Sequence, residues 1–154
     1  MNRREAIRFT DEEALAFLDE QRTVICATNG RDGFPHLMPL WYVVRDGCLW
    51  AWTYAKSQKT KNLERDPRAT LQVESGETYE QLRGLMLRTE AVVHRDQETV
   101  LGFVAELAPR YAPPGTDPAA LREGFAAQAP KRVAIEFRET GRVSWDHRKL
   151  GGTY

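Results

Sequence analysis

Between Thr23 and Thr53, three runs of β-branched, aromatic and aliphatic residues are separated by only a few residues of turn chemistry. That spacing leaves the chain little choice of fold. Thr23–Thr28 is the first run, and Asn29-Gly-Arg-Asp-Gly33 follows it as a dense turn signal. His36–Val44 is the second run, and Arg45-Asp46-Gly47 turns tightly into the third, Cys48–Thr53. Loops this short join antiparallel neighbours, so the segment is expected to be an antiparallel meander. Pro39 cannot donate to a ladder and places an edge or a bulge in the second strand.

The flanking sequence adds helices and more strands. Thr10-Asp-Glu-Glu13 has the form of a capping box, and Ala14, Leu15, Phe17 and Leu18 give the following residues an apolar face, so a helix is expected over 11–21. A short helix opens near Ser57 and stops at Asp66-Pro67, because the residue before proline disfavours the helical region. Strands are expected over 69–74, 82–93, 131–137 and 141–145. Asp96 can cap a helix carrying Val100, Phe103, Val104 and Leu107 at helical spacing, ended by Pro109 and Pro113-Pro114-Gly115. Asp117-Pro118 opens another. The sum is a mainly β, α+β chain. Six or seven antiparallel strands would close into a small barrel with three or four flanking helices, as one domain over 1–154. The chain does not alternate β-α-β, and it has neither a Gly-x-Gly-x-x-Gly nor a Walker A loop.

Charge and composition exclude several function classes. Lys+Arg and Asp+Glu both number 22, so no global field draws the chain to nucleic acid or to an anionic membrane. Any anion site must be local. No apolar run has signal-peptide or membrane-spanning length. Cys26 and Cys48 sit in apolar strand-like runs and read as buried thiols in a reducing cytoplasm. The histidines at 36, 94 and 147 are scattered, which gives no metal-ligand spacing and no nucleophile triad.

The stretch Leu49–Leu63 carries the strongest local signal. It reads as a strand, a short loop and a helix with Ser57 as N-cap. Lys56, Lys59 and Lys61 crowd the helix start, where the dipole and the free N–H groups favour anions rather than cations. A bound phosphate or carboxylate would remove that conflict. A solvated, lysine-rich surface turn is the bland alternative.

The order strand, Gly-rich turn, strand, Asp-Gly hairpin, strand, Thr-x-x-x-Ser-x-Lys-x-x-x-Leu, Asp-Pro-Arg, strand resembles the flavin-binding split barrels related to pyridoxamine 5′-phosphate oxidase. The matching residues are Phe34-Pro35-His36, Pro39-Leu40-Trp41, Asp46–Trp50, Thr53, Ser57-Gln58-Lys59, Asn62-Leu63 and Asp66–Ala69. The resemblance implies a homodimer with FMN in a groove between the subunits. Ser57, Gln58 and Lys59 would hold the phosphate, with Lys61 adding charge. Trp52 and Thr53 would border the ring or ribityl chain, and residues 36–41, among them His36, Met38, Pro39 and Leu40, would face the ring edge. Gln58 and His36 stand where the oxidases carry arginine, and the oxidases' C-terminal substrate motif is not reproduced. These departures point toward the actinobacterial branch, whose members use FMN or the deazaflavin coenzyme F-420. The expectation is a flavin-binding oxidoreductase acting on a small organic substrate. The alternatives are a non-catalytic electron-transfer or cofactor-carrier protein, and a small barrel that binds single-stranded nucleic acid, which zero net charge opposes. Trp41, Trp50 and Trp52 read as core or dimer packing, with Trp52 as the choice for a flavin wall. Asp146, His147 and Arg148 read as a salt-bridged tail reaching the other subunit, with acid-base chemistry as the alternative.

Overall fold

The computed structural model describes residues 2–152. The run expected as one strand over 36–44 breaks at Trp41 into β2 (Pro35–Leu40) and β3 (Tyr42–Arg45), and this break organises the fold. The other strands are β1 (Val24–Asn29), β4 (Cys48–Tyr54), β5 (Arg68–Ser75), β6 (Arg83–His94) and β7 (Arg132–Asp146). They form a seven-stranded sheet in the order β2-β1-β5-β6-β7-β4-β3, with every pairing antiparallel. The two edge strands are therefore joined by the single residue Trp41. Consecutive Cα atoms lie about 3.8 Å apart, so the sheet must curl until its edges nearly meet. The result is the mainly β split barrel expected from the sequence. Pro39 lies on an edge strand, where its missing N–H costs no ladder bond on the open side.

The strands expected over 131–137 and 141–145 are one element, β7. Glu139-Thr140-Gly141 is a bulge in its register with β6, and the Thr140 hydroxyl donates to the Arg88 carbonyl. A bulge bends a strand without ending it, so the residues between the two expected strands continue one element. The first half of β7 pairs with both β4 and β6, while the second half pairs with β6 alone.

Among the described residues five α-helices flank the sheet: α1 (Arg3–Ala6), α2 (Asp11–Glu20), α3 (Gln58–Arg65), α4 (Gln97–Tyr111) and α5 (Pro118–Gln128). The Thr10–Glu13 capping box opens α2, and Ala14, Phe17 and Leu18 bury its inner face against the barrel interior. The core on the other face of β4 is separate: Trp50 and Trp52 pack there on Val100, Phe103, Val104 and Leu107 of α4. Alternation along β4 thus sends Leu49 and Ala51 into the barrel and the tryptophans toward α4. Helix α4 does not end at Pro109. Its last turn is anchored from outside: the Tyr111 hydroxyl accepts from the Tyr42 N–H, and the Tyr111 ring stacks on Trp41 with centroids 4.5 Å apart. Tertiary contacts here outweigh proline's preference.

Candidate functional site

Three consecutive turns of chemistry meet at the end of β4 and the start of α3. The Ser57 Oγ caps α3 by accepting from the Thr60 N–H at 3.3 Å. Lys59, Asn62 and Leu63 share the inward face of the helix, and all are buried. Lys59 is only 6% exposed, and its Nζ donates to the Thr53 Oγ1 at 3.0 Å. From there the hydroxyls run in one direction: Thr53 donates to Ser57, and Thr60, in contact with Ser57 at 3.0 Å, donates to the Tyr54 carbonyl. An ammonium has three protons to donate. Among the described residues Lys59 uses one, and no carboxylate lies within ion-pair distance of it. Burial pushes its pKa down, because the charged form is denied water. Cys26 is also buried in the barrel interior, and burial pushes its thiol up to about 12.

His36 belongs to β2. It lies opposite Thr28 in the β1–β2 ladder, and the Thr28 hydroxyl accepts from the Asn62 Nδ2 at 3.0 Å. The His36 Nδ1 is buried and has no hydrogen-bond partner. A groove of about 480 Å³ opens between His36, Phe34, Gln58 and Asn62. At the other end of β2 a second groove, about 510 Å³, is lined by Pro39, Leu40, Trp41, Trp52, Phe125 and Arg132. Met38 lies between the two, exposed on the same edge strand. A larger groove of about 660 Å³ covers the Ala27–Arg68–Arg88 face, and none of the candidate residues lines it.

The structure therefore brings Thr53, Ser57 and Lys59 into one hydrogen-bonded cluster, while His36 and Gln58 line a separate groove on the other side of Asn62. Gln58 itself donates to the Asn62 Oδ1 at 2.9 Å. Two of the expected cofactor residues stand apart from this cluster. Lys61 is solvent-facing and lies about 200° around the helix from Lys59, so the two do not point at one anion. Trp52 and Thr53 are neighbours on a strand and present opposite faces: the Trp52 ring packs on Phe103 and Phe125 while the Thr53 hydroxyl meets Lys59. Trp52 instead floors the second groove.

The family model described as pyridoxamine 5′-phosphate oxidase matches residues 10–140. The chain belongs to that family. The conserved hypothetical protein Rv2991 from Mycobacterium tuberculosis is 37% identical over 100% of this chain and 95% of its own, with a TM-score of 0.89. A structure described as an F420 reductase shares the fold at 24% identity, covering 82% of this chain and 93% of its own, with a TM-score of 0.63. HutZ, a heme storage protein from Vibrio cholerae, does so at 18% identity, covering 86% and 93%, with a TM-score of 0.68. No curated protein matches the chain significantly.

In this family member the C-terminal trio stands apart from the site. Asp146 pairs opposite Arg83 at one end of β7, whereas Thr53 lies opposite Val133 near the other. Asp146 is buried and bonded to Arg148, whose guanidinium holds its carboxyl below the usual range, and the His147 Nδ1 meets the Tyr79 carbonyl. Cys48 is half-buried rather than fully buried. No helix among the described residues is long and apolar enough to cross a membrane. Sequence reasoning missed Arg132, which reads as an ordinary charge at a strand start. Only its register opposite Tyr54 reveals its surroundings.

Proposed function

We propose that this family member binds the phosphate of FMN, or of coenzyme F-420, at the start of α3, and that it works as a homodimeric oxidoreductase on a small organic substrate. The carrying observation is Lys59: a buried cation without an internal counter-charge, beside hydroxyls and the N-terminus of a helix. A phosphate supplies the missing negative charge, and charge-assisted bonds of this kind are about twice as strong as neutral ones. Ser57 and the first amides of α3 complete the anion's shell. The edge strand β2 has backbone N–H and C=O groups on its open side for a flat ring, and His36, whose Nδ1 is unpartnered, belongs to the same strand. A bound flavin or deazaflavin supplies the hydride chemistry, while the protein binds it, orients it and sets the local charge. The two free cysteines suit a reducing, cytoplasmic setting.

The deciding measurement is the absorbance spectrum and mass of whatever co-purifies from the native host. An oxidised-flavin spectrum with the FMN mass selects FMN, and the deazaflavin spectrum and mass select the alternative. A protein that is colourless and takes up neither cofactor on titration rules the reading out. Turnover of a small molecule by the loaded protein then separates an enzyme from a carrier, which would exchange electrons with partner proteins only.

A further inference from the structure

Among the described residues four arginines lie against aromatic rings: Arg45 on Trp50, Arg83 on Phe17, Arg110 on Tyr42 and Tyr111, and Arg132 on Trp52 and Tyr54. Three of them have a carboxylate partner within the chain: Glu106 for Arg45, Glu20 for Arg83 and Asp19 for Arg110. Arg132 has none among the described residues. Its single hydrogen bond runs from Nη2 to the neutral Gln128 Oε1 at 2.8 Å, and its Nε is buried without an acceptor. The guanidinium carbon sits 3.7 Å from the Tyr54 ring centre and 4.7 Å from that of Trp52. Two rings and Gln128 therefore hold the fork in place before any ligand arrives, which removes much of the rotamer cost of binding.

Arg132 is also the one charged residue lining the 510 Å³ groove, whose other walls include Trp41, Trp52 and Phe125. That volume is ordinary for a small-molecule cleft. A planar, pre-set guanidinium matches a carboxylate by two parallel hydrogen bonds, and the flat apolar walls match a conjugated body. We propose that this groove binds a small planar carboxylate, with its carboxylate on Arg132 and its unsaturated body against the exposed ring of Trp41. Pro39 and Leu40 line the same groove and belong to the strand assigned above to the cofactor, so such a ligand would reach the redox centre. Its role as a substrate rests on that assignment, whereas its binding does not.

The test uses trans-cinnamate and its neutral isostere cinnamamide, titrated calorimetrically into the purified protein at low salt. Cinnamate should bind at least roughly tenfold more tightly, the scale of one charged hydrogen bond lost. Arg132→Gln should abolish that preference, and Arg132→Lys, which keeps the charge without the fork, should retain part of it. Thermal melts identify a variant that fails to fold. Equal affinity for the two probes, no binding of either, or an Arg132→Gln protein that keeps the preference would each overturn the proposal. Cofactor titration of the same variants keeps the two readings apart. A failed cofactor assignment appears as a protein that takes up no flavin yet still prefers cinnamate.

Discussion

Lys59 concentrates the residue-scale argument. A buried ammonium that meets one hydroxyl is worse off folded than in water, so the protein without ligand gains nothing from the charge. Replacing it with a neutral side chain of similar length should therefore separate stability from binding. Lys59→Met is expected to melt no lower than the parent, while its affinity for the phosphate-bearing cofactor falls by about 1–3 kcal/mol. Parallel thermal melts and cofactor titrations check both halves, and unchanged affinity would remove Lys59 from the site. The pH dependence has a definite sign. Burial places the lysine's pKa below its ordinary 10.5 in the unliganded protein, and a phosphate beside it moves that value back up. Binding is then strongest below the depressed value and weakens as pH rises from it toward the value in the complex. A titration series into the alkaline range should show that loss in the parent and not in Lys59→Met.

At the scale of elements, what the sequence disclosed was local, and what it withheld depended on partners. The cap of α2 at Thr10, those of α3 and α4 at Ser57 and Asp96, and the Asp46-Gly47 hairpin turn were all readable because each is completed within a few residues. The closeness of Thr53, Ser57 and Lys59, which form one hydrogen-bonded cluster, was readable for the same reason. The break at Trp41, the fusion of two strands into β7 and the extension of α4 past Pro109 were not. Each is decided by a distant neighbour: curling of the sheet, the β6 ladder and the anchoring of Tyr111. Core packing of Trp52 was readable, but not what covers it, because the helix pair that does so lies some fifty residues or more along the chain. The end of β7 carries its own prediction. Asp146 accepts from both the backbone and the guanidinium of Arg148, and its own N–H donates to the Ile7 carbonyl at 2.8 Å, so it ties the tail to the N-terminal segment. Its folded pKa lies below the ordinary 3.8. The stabilisation is therefore complete above about that ordinary value and is lost as pH falls through the depressed folded one. Asp146→Asn should cost roughly 1–3 kcal/mol at neutral pH and flatten the acid limb of the stability curve. Denaturant melts of both proteins across the acid range measure this.

For the whole molecule, the consequence of a sheet joined edge to edge through Trp41 is a barrel with one uncovered side. Leu37 and Met38, neighbours on β2 that face opposite ways, are 56% and 43% exposed, so this edge strand is apolar and open on both faces. The ladders extend that surface inward. Pro39, Ile25, Gln72, Met86 and Val143 lie directly opposite one another across β2, β1, β5, β6 and β7, and so form one row on the outer face. Apart from Gln72 the row is apolar, and Val143 at its end is 52% exposed. An apolar row running over five strands needs a cover, and the proposed homodimer supplies it by packing two such faces together. The same packing would close the open side of β2, where the cofactor ring is assigned, so assembly and cofactor retention should fail together. Charges placed in the middle and at the end of the row test this without touching Lys59 or Ser57. Ile25→Lys combined with Val143→Lys should shift the protein from dimer to monomer in sedimentation velocity at micromolar concentration and weaken cofactor binding at least tenfold. The melting temperature of the variant at the same concentration reports whether the protomer is still folded. A parent protein that sediments as a monomer, or a double variant that stays dimeric with full cofactor affinity, would mean that this face is not the one that pairs.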